Sequence, residues 1–388
     1  MTRQALTGAR IFDGTRFHEN STLLIADGKI EAIVPAGEIA GDRQQIDLAG
    51  GTLAPGFIDA QVNGGGGRML NDEPSPQSMY MIAEGHRPFG TTSLLPTLIT
   101  DAEGAVEKAI SSAAEAFLAG HGVAGLHLEG PHLAPSRKGT HLAKYMRPLE
   151  AADVELLSSA VLEVGTLVVT LAGEQVTPAQ VNQLTNAGVI VCLGHTDTDA
   201  GRAQQLFDAG ARGVTHLFNA MSGLGHRQPG LVGAALDHPD AWGGIIADGH
   251  HVDPLALRVA LRAKRGPGRL FFVTDSMSLV GQERDHFTLN GRTIWRKQGG
   301  YCSRLALDDG TLAGSDLDMA SAVRFGVSYL DLSLGEALRM ASAYPADFLR
   351  LNDRGRLLQG MRADLVHLGE DLQVRQTWLG GAVSEQTS

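Results

Sequence analysis

Side chains able to bind a metal or move a proton recur at one kind of place in this chain, directly after a short apolar run. Asp59 and Gln61 follow the run that begins at Leu53, and Glu129 ends VAGLHLE. His195 follows VIVCLG, His216 lies in GVTHL, Asp248 follows GGIIA and Asp275 ends LFFVTD. One histidine after a strand is usually a satisfied structural group, but so many carboxylates, imidazoles and carboxamides at equivalent places argue for a shared site. Glu129, His195 and His216 combine the oxygen and nitrogen donors of a catalytic zinc centre, which takes three protein ligands and keeps a position for water. The same residues also read as a buried carboxylate in an ion pair with histidines that cap strands. Spacing does not choose between these readings.

Residues so far apart in the chain meet only if the elements carrying them form a closed sheet. The strand-like runs start at Leu53, Thr91, Val123, Thr166, Val189, Gly213, Gly243 and Leu270, and helix-patterned stretches alternate with them, such as those from Asp101 and Leu334. That alternation predicts an α/β protein built as a (β/α)8 barrel, with an open doubly wound sheet as the alternative. In such a barrel, polar residues at the C-terminal strand ends face the site. The chain ends read differently. Two short β-runs flank Asp27-Gly28 at the front, and ADLVHL and VRQTWLGGAVS are short strands at the back. Neither end has enough strands to stand alone, so both are assigned to one small β-domain, residues 1–52 plus 357–388, with the barrel spanning 53–356.

Composition removes several functions. A net charge of −11 opposes nucleic-acid binding by bulk charge, which needs clustered Lys and Arg, but leaves room for a phosphorylated small molecule in a local cationic pocket. The two cysteines, Cys192 and Cys302, have no metal-type spacing and form no disulfide framework. No signal-peptide stretch or membrane-length apolar run is present, so the expected compartment is the cytoplasm. Gly64 to Gly67 lacks the Gly-Lys-Ser/Thr ending of a phosphate loop and reads as a turn.

Longer motifs add a resemblance. LHLEGPHLAPSRKGTH (from Leu126), LGHTDTD (from Leu193), THLFNAMSGLGHRQPGLVG (from Thr215), IIADGHHVD (from Ile245), VTDSM (from Val273), GTLAGSDLDM (from Gly310) and PGFIDAQVNGGGG (from Pro55) resemble the N-acetylglucosamine-6-phosphate deacetylase family of the amidohydrolase superfamily. The resemblance covers nearly the whole chain. It implies a distorted (β/α)8 TIM-like barrel with a small β-sandwich built from both termini. It further implies that Glu129, His195 and His216 hold one divalent metal, zinc foremost, with iron, cobalt or manganese also suited to that donor set. Asp275 would be the catalytic acid and base, and His141, beside Thr140 at the substrate, would stabilise the oxyanion. The backbone amides of Asn219 and Ala220, together with Arg227 and His251, would hold the 6-phosphate. Arg227 would come from the neighbouring subunit of a homodimer. Ala313, Gly314 and Ser315 would border the sugar.

Gln61 and Asn63 stand where many amidohydrolases carry a His-x-His pair. A strand's period of two puts both on one face, but carboxamides are poor zinc ligands, so they read as a remnant of a second metal site. His132 is a pocket wall or a stray ligand. The activity implied is hydrolysis of N-acetylglucosamine 6-phosphate to glucosamine 6-phosphate and acetate. The alternatives are another amidohydrolase substrate, such as N-acetylgalactosamine 6-phosphate or a cyclic amide, and a silent barrel serving as an interaction protein. The intact set of Glu129, His195, His216 and Asp275 counts against the last.

Overall fold

The computed structural model describes residues 3–39 and 41–384. Eight strands form one parallel sheet in chain order: β1 (Phe57–Val62), β2 (Thr91–Ile99), β3 (Leu126–Glu129), β4 (Leu167–Leu171), β5 (Ile190–Leu193), β6 (Gly213–Val214), β7 (Trp242–Ile245) and β8 (Leu270–Phe272). They are mostly apolar and nearly all buried, because helices cover the outer face while side chains fill the interior. The expected barrel is therefore present.

Its closing seam, between β1 and β8, is made at the C-terminal end. The Asp275 N–H donates to the Gln61 carbonyl at 2.9 Å, and the N–H groups of Asn63 and Gly64 both donate to the Ser276 carbonyl at 3.0 Å. Below them the Asp59 carboxylate accepts from Thr274 Oγ1 at 2.6 Å and from the backbone N–H groups of Thr274 and Gln61 at 3.2 Å each. The barrel is thus drawn shut beside Gln61, Asn63 and Asp275.

The apolar run from Leu53 is two strands rather than one. Thr52–Pro55 pairs with Leu365–Leu368 and Arg10–Phe12 in a six-stranded sheet of the small domain, and β1 begins only at Phe57. Gly56 lies between them, where a Cβ would come within 2.3 Å of Thr92 Oγ1. A four-stranded sheet faces the six-stranded one, and Leu6, Leu23, Ile25, Leu53, Leu365 and Trp378 share the core between them. Its hairpin turns at Asp27 (φ 50°) and Gly28 (φ 76°), the two left-handed residues that a tight primed turn needs.

One element was not anticipated. Between β8 and the last helices, the strands His286–Leu289, Arg292–Lys297, Arg304–Ala306 and Leu312–Ser315 form an antiparallel sheet. Its strands are short and carry many charges, so no clean alternation marks them. Their core is small: Leu289, Ile294, Leu305 and Ala313, packed on Met69 and Met277. The last strand carries Ala313, Gly314 and Ser315 to the site, where the Ser315 N–H donates to the Asp275 carbonyl at 3.0 Å.

Burial pushes the Asp59 carboxyl up to about 7, against the pull of its hydrogen bonds from Thr274 and Gln61. A carboxyl raised on folding stabilises the fold most at low pH, and that contribution is lost as pH rises towards 7. Between pH 5 and 7 the wild type is expected to lose about 2 kcal/mol relative to Asp59→Asn, read from urea midpoints of both proteins. Parallel pH dependence in the two would show that Asp59 is ionised at the seam throughout.

Candidate active site

Glu129 closes β3 at the bottom of the barrel mouth and is only 2% exposed. His195 and His216 follow β5 and β6, and Asp275 follows β8. These last three all take left-handed backbone, with φ of 48°, 27° and 52°. Such conformations are uncommon for non-glycine residues and cluster at functional sites. The resulting kink at each strand end turns the side chain inward.

The donor atoms form a small triangle. Glu129 Oε1 lies 2.9 Å from His216 Nε2 and 3.2 Å from His195 Nε2, and the two Nε2 atoms are 3.2 Å apart. Ligand atoms about 2.1 Å from a tetrahedral zinc are separated by about 3.4 Å, so the triangle has the size such an ion requires. His195 Nδ1 donates to the Arg137 carbonyl at 2.7 Å, which leaves the Nε2 lone pair facing the triangle. His216 Nδ1 is buried without a partner. Burial raises the Glu129 pKa, but hydrogen bonds and charge from His195 and His216 outweigh it and hold the carboxyl well below its ordinary range. Burial in turn lowers His216, yet Glu129 brings it up to about 9. A buried carboxylate that demands positive charge, with two imidazole nitrogens converging on it, fits a divalent cation.

Glu129, His141 and His195 also offer ligand atoms within 4.8 Å of one another. The proton on His141 separates its role from the others. Its Nδ1 accepts the Thr100 N–H at 3.3 Å and lies 2.9 Å from Thr100 Oγ1, so Nε2 carries the hydrogen. Burial, with the charge of His195, pushes His141 down to about 3. It is a neutral hydrogen-bond donor packed 4.5 Å from the His195 ring, centroid to centroid.

Gln61 and Asn63 are turned to Asp275. Gln61 Nε2 donates to Asp275 Oδ1 at 3.0 Å and lies 3.3 Å from both Glu129 oxygens, while Asn63 Nδ2 donates to Asp275 Oδ1 at 2.7 Å. Both amides converge on one oxygen and leave Asp275 Oδ2 for other partners. Burial and the nearby Glu129 charge raise the Asp275 carboxyl.

The remaining expected residues are placed less uniformly. His251 Nδ1 pairs with Asp248 Oδ2 at 2.6 Å; burial lowers the imidazole, but that carboxylate carries it above its ordinary value. Ser315 is buried beside Asp275, and a Cβ on Gly314 would come 3.0 Å from the Asp275 carbonyl. Ala220 sits at φ 49°, and its N–H has no backbone acceptor among the described residues. The Asn219 N–H, expected to face an anion, donates instead to the His216 carbonyl at 2.9 Å and closes a turn. Arg227 lies exposed on a loop. His132 Nδ1 lies 3.2 Å from the carbonyls of Arg147 and Pro148, and the residue lines a neighbouring cavity of about 690 Å³ that includes none of the triangle.

Several contributors were not read from the sequence. Thr100 fixes the His141 tautomer, and Arg292, from the unanticipated sheet, donates to the Thr140 carbonyl at 2.7 Å. His127 lies two residues before Glu129, bonded to Thr170 Oγ1 at 2.7 Å, and burial drives it down to about 4. Only its period-two relation to Glu129 hinted at an inward position. Asp248 was noted at a strand end, but its pairing with His251 was not.

With this geometry in view, comparison with known proteins is specific. Residues 52–383 match the amidohydrolase family, and residues 4–53 match the NagA composite domain. The chain belongs to the amidohydrolase family. It is 38% identical over 383 residues to an N-acetylgalactosamine-6-phosphate deacetylase of Shewanella sp. (strain ANA-3), covering 98% of this chain and 95% of that protein. It is 35% identical over 371 residues to an N-acetylglucosamine-6-phosphate deacetylase of Haemophilus influenzae, covering 93% and 94%. The solved N-acetylglucosamine-6-phosphate deacetylase of Pasteurella multocida superposes with a TM-score of 0.93 at 33% identity, over 99% of this chain and all of that one. Among the described residues no helix is long and apolar enough to cross a membrane.

Protein loaded with zinc and passed through a desalting column is expected to retain one equivalent per chain. Glu129→Gln is expected to retain less than about a tenth of that, because the anionic donor is lost. Elemental analysis reads both values, and two equivalents in the wild type would show that Gln61 and Asn63 do not abolish a second seat.

Proposed function

We propose that this chain is a metal-dependent deacetylase that hydrolyses the acetamide of N-acetylglucosamine 6-phosphate, giving glucosamine 6-phosphate and acetate. The reading is carried by one observation: Asp275, held by two carboxamides, stands beside a buried Glu129–His195–His216 triangle of cation-binding size. A second reading, N-acetylgalactosamine 6-phosphate as substrate, is favoured by the named activity of the Shewanella relative. The two sugars differ at one hydroxyl and present the same acetamide and phosphate.

Glu129, His195 and His216 would hold a single divalent cation, zinc foremost, which when bound would supply a water whose pKa is lowered from 15.7 to about 7. Asp275 is the base that takes the proton of the attacking water as oxygen meets the acetyl carbon. Gln61 and Asn63 saturate Oδ1, so the transfer runs through Oδ2. The same proton is returned to the sugar nitrogen, so the C–N bond breaks with a neutral amine leaving. His141 donates from Nε2–H to the carbonyl oxygen as negative charge develops there, and Thr100 keeps that tautomer in place. Such a donor lowers the barrier by roughly 3 kcal/mol.

Phosphate recognition falls to the Ala220 N–H, to His251 held by Asp248, and to Arg227, with Asn219 shaping the turn that presents Ala220. The exposed Arg227 loop suits a homodimer in which this arginine enters the neighbouring site. Thr140, Ala313, Gly314 and Ser315 line the sugar. The setting proposed is the cytoplasm, with no nucleic-acid or membrane partner.

Acetate release from both N-acetylhexosamine 6-phosphates and from unphosphorylated N-acetylglucosamine tests the activity; no release from any of them would overturn it. Asp275→Asn is expected to keep the fold and lose about 10²–10⁴-fold in kcat; near-normal turnover would remove Asp275 from proton transfer. Arg227→Ala is expected to raise KM for phosphorylated substrates alone. Equal effects with and without the phosphate would place Arg227 elsewhere.

A further inference from the structure

Asp197 stands two residues after His195, and its carboxylate grips the loop opposite. Oδ2 accepts from Ser136 Oγ at 2.7 Å, and Oδ1 accepts from Arg137 Nε. Asp197 is itself anchored, since its N–H donates to Glu174 Oε1 at 2.6 Å while the neighbouring Thr196 hydroxyl donates to Glu174 Oε2. Ser136 and Arg137 belong to the single turn Pro135–Arg137 that follows β3, and the Arg137 carbonyl is the acceptor for His195 Nδ1 at 2.7 Å. Along this stretch the loop meets the β5 end through one backbone hydrogen bond, from the Ala134 N–H to the His195 carbonyl at 2.9 Å. Pro135, Ser136, Lys138 and Gly139 are exposed, so packing alone does not hold the Arg137 carbonyl in place.

We propose that Asp197 is a positioning residue for metal binding, one that fixes the Arg137 carbonyl against His195 Nδ1 and thereby keeps His195 Nε2 unprotonated and aimed at the cation. Without a fixed acceptor, the imidazole gains the alternative tautomer, whose hydrogen sits on the ligand nitrogen, and gains freedom to rotate. The clamp joins residues of exposed loops after β3 and β5 and contributes no ligand atom. The inference rests on the reading of Glu129, His195 and His216 as the metal site.

The test is zinc affinity of the full chain by chelator competition, together with the visible absorption of the cobalt-loaded protein. Asp197→Ala is expected to weaken zinc binding about tenfold and to change the cobalt spectrum, with circular dichroism unchanged. Arg137→Ala keeps the carbonyl but removes its tether, and is expected to act in the same direction; it also decides the matter if Asp197→Ala does not fold. Asp331→Asn, which alters the exposed pair with Arg258, is the control and is expected to match the wild type. Zinc binding within twofold of wild type in folded Asp197→Ala and Arg137→Ala overturns this proposal alone. Absence of zinc binding by the wild type overturns the metal reading, and this inference with it.

Discussion

A carboxylate sunk in the barrel mouth is the constraint around which this molecule is arranged. Removing Glu129 from water is costly unless opposite charge and hydrogen bonds replace its hydration. The chain supplies two imidazoles and a carboxamide, and each comes from a different strand end. Those strand ends reach Glu129 only because the sheet closes, and the closing bonds lie at the same rim. Charge compensation and barrel closure are therefore one problem with one solution, and the left-handed kinks at His195, His216 and Asp275 are where the backbone meets it.

The carboxamides add a second layer. Histidines at positions 61 and 63 would bring two more nitrogen donors into the mouth. Gln61 and Asn63 instead present N–H groups, which suit carboxylate oxygens rather than cations. They fix Asp275 and occupy one of its oxygens, so hydrogen bonding from these two carboxamides orients the carboxylate.

Much of this was legible in the sequence. The buried strands are largely apolar runs, and the ionisable residues towards their C-terminal ends mark the rim, which is why Glu129, His195, His216 and Asp275 stood out. What was not legible depends on neighbours remote in the chain. The Leu53 run divides because Thr52–Pro55 pairs with Leu365–Leu368, more than 300 residues away, as the register shows. The sheet from His286 to Ser315 buries too little apolar surface to leave a pattern. Thr100 and Arg292 act through hydrogen bonds to a loop remote in the chain, for which local sequence carries no signal. The engagement of the Asn219 N–H is a property of one turn's dihedral angles, invisible to a motif that records only residue types.

The small domain has a consequence for how the chain is made. Its six-stranded sheet places Thr52–Pro55 between Arg10–Phe12 and Leu365–Leu368, so Thr52–Pro55 finds its first neighbour early but lacks its second until the far side of the barrel sequence has been synthesised. On the ribosome the barrel's segments emerge and begin to pack while an apolar edge waits beside them, a hazard that grows with slow translation. Arrival of Leu365–Leu368 covers that edge.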